Sequence, residues 1–177
     1  MGYRQVFADG GLGEIGGSVK TLVGGTLGEV RMSDDGKTKY RLFYNASGAS
    51  IPVGGVFAKD AAGAGLYSAI TGTTETGATF AIGCNHSSKT VPTASYFWGA
   101  VEGTGIPLLH SNLSCGTDIY VCMAADFKVM PATVATNTKF AVNNGDTVAG
   151  VGTSATDTAS GKFTVFFEAA TAALPRA

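Results

Sequence analysis

Charge is scarce in this chain of 177 residues. Lysine and arginine number 12 and aspartate and glutamate 13, so 14% of the residues are charged, against roughly 25% in ordinary globular domains. The net charge is −1 and the basic residues are scattered. No basic stripe exists to neutralise phosphates, which argues against nucleic-acid binding. Long apolar runs are missing as well. No window holds 18 consecutive apolar residues, so no helical membrane span is expected. The opening MGYRQVFADGG lacks the apolar stretch of a secretory leader. It begins Met-Gly, but Val6 stands where myristoylation needs Ser or Thr.

Residues that carry chemistry are also few. Three cysteines, Cys84, Cys115 and Cys122, make an odd set that argues against a disulfide framework. They read as small buried hydrophobes. Cys115 and Cys122 are seven apart and the two histidines, His86 and His110, are 24 apart. Neither spacing is that of a structural zinc pair, and no metal or cofactor is expected. Cys84 and His86 would share one face of a strand as nucleophile and base. The plainer reading makes Cys84 a core-edge residue and His86 a solvated loop residue. The acids cluster in turns such as SDDGK, GTD and NNGD, where short carboxylates bond the backbone. The acid-glycine pattern of a calcium loop is absent. Three N-x-S sequons, at Asn45, Asn85 and Asn112, read as accidents of a chain rich in Ser and Thr.

Glycine is what the chain has most of, with 26 residues. Gly11, Gly13 and Gly16 match G-x-G-x-x-G, and Gly17 follows. A dinucleotide site needs a helix after those glycines. The run SVKTLVGGTLGEV carries β-branched residues and three more glycines instead, so the match is coincidental. The glycines mark turns between extended segments.

Those segments recur along the chain. GEVRMSDDGKTKYRLFYNA is the clearest hairpin, with Tyr40, Leu42 and Tyr44 alternating against Lys39, Arg41 and Phe43. Further strands are expected around Val56-Phe57, Leu66 to Ile70, Thr79 to Gly83, Tyr96 to Val101, Ile106 to His110, Ile119 to Met123, KVMPA, TKFAV, DTVAGVG and GKFTVFFEA. Many short strands with polar turns imply an all-β fold, a compact β-sandwich or β-barrel of short antiparallel strands with an extended N-terminal arm. The expected boundaries are a Gly-rich arm over 1–25, a β-domain over 26–168 and a tail over 169–177, where FEAATAALPRA is the one helix-compatible piece. A loose self-similarity between VGGVFAKDAAGAG and VAGVGTSATDTASG is not convincing as a repeat. Tyr96-Phe97-Trp98 would put Tyr96 and Trp98 on one strand face, as core, sugar platform or interface.

Three stretches resemble a known family. They are Trp98 to Ala124 (WGAVEGTGIPLLHSNLSCGTDIYVCMA), Phe140 to Glu168 (FAVNNGDTVAGVGTSATDTASGKFTVFFE) and Ile51 to Asp60 (IPVGGVFAKD). Their glycine-bounded strands and Gly/Ser/Thr turns are similar to those of the small β-rich capsid decoration, or cement, proteins of tailed bacteriophages. The likeness spans roughly residues 50 to 168; Thr117 is inserted where the family often has Gly-Asp. It implies a non-enzymatic role on the outside of an assembled virion shell. The partner would be the major capsid protein of the same virion, and the chain would form a homotrimer or other homo-oligomer. The candidate contacts are Tyr3, Val6, Phe7, Leu12 and Ile15 in the arm, with Tyr96 and Trp98 in the domain. The alternatives are a carbohydrate-binding module or a tail or fibre component of a virion and, behind both, a hydrolase with acids brought together by the fold.

Overall fold

A computed structural model describes residues 17–21, 25–59, 67–70, 81–109, 120–123, 126–131, 141–143 and 162–167. Among these residues the regular structure is strand, with no α-helix. The strands are β1 (Ser18–Val19), β2 (Val30–Met32), β3 (Thr38–Asn45), β4 (Val56–Lys59), β5 (Ser68–Ile70), β6 (Ala81–Cys84), β7 (Tyr96–Pro107), β8 (Tyr120–Met123), β9 (Val129–Pro131), β10 (Ala141–Asn143) and β11 (Lys162–Phe166).

Strands β3, β5, β4, β6 and β7 follow one another in hydrogen-bonded order, and β7 pairs back onto β3. That closes a five-strand barrel and removes the edges of those strands. Four of the five pairings are antiparallel. The fifth, β3 with β5, is parallel (Tyr44 beside Ser68), a departure from the expected all-antiparallel pairing. It is possible because β4 lies between them in the chain and carries it back across the barrel end. From β7 the sheet continues through β11, β10 and β8 to β9. The DTVAGVG segment and the C-terminal FEAATAALPRA past Phe167 lie outside the described residues.

The hairpin forms as its sequence dictates. Val30 faces Arg41 and Met32 faces Lys39 across β2 and β3. The turn is held by Asp35, whose carboxylate accepts from the Ser33 hydroxyl (2.6 Å) and the Lys37 amide (3.1 Å). Gly36 takes the left-handed conformation there (φ 69°). The Ser33 hydroxyl bond, then the Lys37 amide, holds the Asp35 carboxyl below its ordinary value.

Two expected strands, Tyr96 to Val101 and Ile106 to His110, are one. β7 runs 12 residues without a break. The glycines that suggested a boundary instead bend it. Gly103 and Gly105 have φ of 156° and 71°, and the register against β11 shifts between Phe163 and Val165. Such a bend lets β7 close the barrel with β3 and still carry β11.

Both faces of the barrel strands are buried. One cluster joins Phe43, Ile51, Phe57, Ala69, Val91, Phe97, Val101 and Phe127. The other joins Tyr40, Leu42, Val56, Trp98 and Ala100 to Val121, Met123, Val129, Phe163 and Val165. The last five come from strands outside the barrel, so the second cluster covers the barrel's outer face and the first fills its inside. Phe57 meets Phe43 and Phe97 edge-on, with centroids 4.9 and 5.3 Å apart, geometry that contributes about 0.5–1.5 kcal/mol per pair beyond burial. The space is small enough to require glycine. A Cβ on Gly83 would lie 2.8 Å from the Phe57 ring, and one on Gly99 2.7 Å from Phe57 and 2.9 Å from Phe43.

Candidate functional site

The most elaborate polar construction among the described residues is made twice. Residues 43–57 (FYNASGASIPVGGVF) and 83–97 (GCNHSSKTVPTASYF) align forty residues apart, with Asn, Ser, Pro and Phe in common. Ile51 and Val91 pair antiparallel, each amide donating to the other's carbonyl at 2.9 Å. Around that centre the asparagine contacts come in matched pairs. The Asn45 side-chain amide donates to the carbonyls of Ala49 (2.9 Å), Val91 (3.3 Å) and Pro92 (3.0 Å). That of Asn85 donates to Lys89 (2.9 Å), Ile51 (3.1 Å) and Pro52 (3.0 Å). The Asn45 Oδ1 accepts from the amide and hydroxyl of Ser47, and the Asn85 Oδ1 from those of Ser87. The Ala94 amide donates to the Asn45 carbonyl and the Gly54 amide to the Asn85 carbonyl. Each copy ends in a turn with one left-handed residue, Gly54 (φ 72°) and Ala94 (φ 51°).

Each asparagine thus clamps the other copy's strand. Both are wholly buried, where unpaired amides would be costly. This corrects two expectations. The N-x-S sequences at 45 and 85 are structural Asx turns, with the amide nitrogens occupied and shielded, rather than accidents. Asn112 lies outside the described residues. The chain also does carry an internal repeat, these two segments forty residues apart. The signal available was N-x-S-x3-[Ile/Val]-Pro-x4-Phe at a spacing of forty.

Cys84 and His86 do not form a dyad. β6 ends at Cys84, so the alternation that would align them stops there. The Cys84 sulfur points to the Ala100 carbonyl (3.8 Å). Burial pushes its thiol above the ordinary value, which keeps it protonated and weakly nucleophilic. His86 is half-buried rather than solvated. Its Nδ1 and the Tyr40 hydroxyl share a hydrogen bond (2.7 Å). Burial lowers the imidazole's pKa and raises the Tyr40 phenol to about 12. Among the described residues no group of three or more metal-ligating side chains is gathered.

Of the candidate contacts, Tyr3, Val6, Phe7, Leu12 and Ile15 lie outside the described residues. Trp98 is core, at 2% exposure. The Arg31 guanidinium covers its ring (4.7 Å to the centroid) and is itself held by Glu29 (2.6 and 2.8 Å). Tyr96 is half-buried and packs on Tyr44 (centroids 4.9 Å). In the expected arm, Ser18 and Val19 pair with Phe97 and Tyr96 of β7. A strand follows Gly17, so no helix start is present there for a pyrophosphate. Val30 and Met32 are the large hydrophobics exposed on the described surface, at 42% and 53%. Both lie on β2, whose neighbour in the sheet is β3 and which ends the strand order. No family model, curated protein or solved structure matches the chain.

Proposed function

We propose that the chain is a virion structural protein that binds the outside of an assembled capsid shell and stabilises it as a decoration, or cement, protein. The observation that carries this reading is the solid barrel interior. Phe43, Phe57 and Phe97 occupy it, and the room that remains is so tight that Gly83 and Gly99 cannot carry a Cβ. Larger barrels enclose ligands in that space; here it is used for packing, so work falls to the outer surface.

That surface is poor in charge and ends in an edge strand bearing Val30 and Met32. Edge strands in free proteins are usually protected by charge, proline or a cover. An apolar edge suits burial against the major capsid protein, and repetition over a shell turns a modest contact into firm attachment. The resemblance of residues 50–168 to decoration proteins supports the same reading. Trp98 beneath Arg31 offers no open sugar platform, which weighs against the carbohydrate-binding alternative.

The test is co-sedimentation with assembled, expanded shells and with free shell subunits. The reading predicts binding to shells and none to free subunits. Equal binding to both, or to neither, contradicts it.

A further inference from the structure

The two clamps share their Asn, Ser and Pro but differ at most other positions, and one of those differences places an imidazole in the turn. Where the first has Ala46, the second has His86. Both positions sit between the clamping asparagine and its serine. In the second copy this puts a titratable ring inside the Asx turn, with Nδ1 turned to the Tyr40 hydroxyl at 2.7 Å and the two ring planes 11° apart. We propose that the second clamp is an acid-released latch with His86 as its sensor, and that the first clamp, built on the same plan without a histidine, is indifferent to the same change.

The hydrogen bond supplies the mechanism. In the latch the O–H of buried Tyr40 donates to Nδ1 of the neutral imidazole, the tautomer with its proton on Nε2. Protonated at Nδ1, the ring loses its acceptor and becomes a donor. The Tyr40 proton must then turn away, and a half-buried cation must be accommodated. The groups around it offer little relief among the described residues. From β3 the titratable neighbour is Tyr40 itself, with Thr38 bonded to its hydroxyl. From β6 it is Cys84, a protonated thiol. Asp35, in the β2–β3 turn, acts on the Tyr40 hydroxyl, and its charge does not enter the balance at His86. Glu102 on β7 lies in register with Lys39 and is exposed, as is Lys89 on the histidine's own loop.

Burial alone lowers the His86 value, which fixes the sign. The folded protein takes up its proton less readily than the open loop does. The latch therefore holds fully above the ordinary histidine range. It is lost as the pH falls from that range through the lower folded value.

The duplication provides an internal control. Amide exchange would be followed residue by residue on the full chain from pH 7.5 to 5, corrected for intrinsic rates. Ser87 and Gly54, which donate to Asn85, report the second clamp. Ser47 and Ala94, which donate to Asn45, report the first. The latch predicts a severalfold loss of protection at Ser87 and Gly54 with none at Ser47 and Ala94. It predicts that His86→Gln abolishes the difference. Tyr40→Phe, which deletes the donor, is the second variant and should shrink it. A change shared equally by both clamps, no change in either, or a difference that persists in both variants would overturn the proposal.

Discussion

Replacing Asn85 by alanine removes a side chain that takes part in five hydrogen bonds, three donated and two accepted. At roughly 1 kcal/mol net per bond the ceiling is about 5 kcal/mol. The three carbonyls keep other donors, because Ile51 still receives the Val91 amide, Pro52 the Gly55 amide and Lys89 the Ser87 hydroxyl. The loss therefore concentrates on the buried Ser87 amide and on the void left behind, for about 3 kcal/mol. Total stability for a domain is about 5–15 kcal/mol, so the variant should fold but be clearly weakened. With a urea slope of about 2 kcal/mol/M, the unfolding midpoint should fall by roughly 1.5 M at unchanged slope. Asn45→Ala should cost about the same, because its contacts are the mirror set. Asn85→Asp is the sharper variant. It keeps the acceptor for Ser87 but turns a second oxygen toward three carbonyls. Burial raises the new carboxyl's folded value above its unfolded one, so at neutral pH this variant should be weaker than the alanine variant and should recover as the pH falls. A midpoint shift below about 0.3 M for either alanine variant would show that the paired hydrogen bonds do not hold the barrel shut.

Other expectations follow from the same packing. Gly99→Ala places a methyl group 2.7 Å from the Phe57 ring and should cost about 1–3 kcal/mol by urea titration, while Gly36→Ala, with open space around it but φ of 69°, should cost less. Trp98→Ala should cost about 3–5 kcal/mol, whereas an exposed sugar-binding tryptophan would be replaceable at little cost. Cys84 should resist alkylation in the native protein, read by peptide mass mapping, and react once urea unfolds it. Met32→Lys, at an exposed edge position, should leave the unfolding free energy within about 0.5 kcal/mol of wild type and weaken co-sedimentation with shells.

Much of the fold was legible because its local rules are strong. SDDGK between alternating arms can hardly be anything but a hairpin turn, and it is one. Strand alternation puts Tyr96 and Trp98 on one face but does not say which face is core; Trp98, a candidate contact, is buried instead. Closure was not legible, since the pairing of β3 with β7 joins residues about sixty positions apart and leaves no local mark. The 12-residue β7 reads as two strands because glycine in a bend and glycine in a turn look alike in sequence. The clamps are not legible for a different reason. N-x-S is short enough to arise by chance, and what distinguishes Asn45 and Asn85 is the non-local carbonyls that they meet. His86 reads as solvated because its partner, Tyr40, lies 46 residues earlier.

In the proposed role a preformed, solid barrel docks on a shell through β2, the edge strand beside it. Hydrogen exchange compared between the free and the shell-bound protein tests it most directly. The account predicts new protection at Val30 to Met32, with exchange in β4, β6 and β7 unchanged, as for a rigid body docking by its rim. Exchange altered throughout the barrel strands while β2 stays as it was would contradict it.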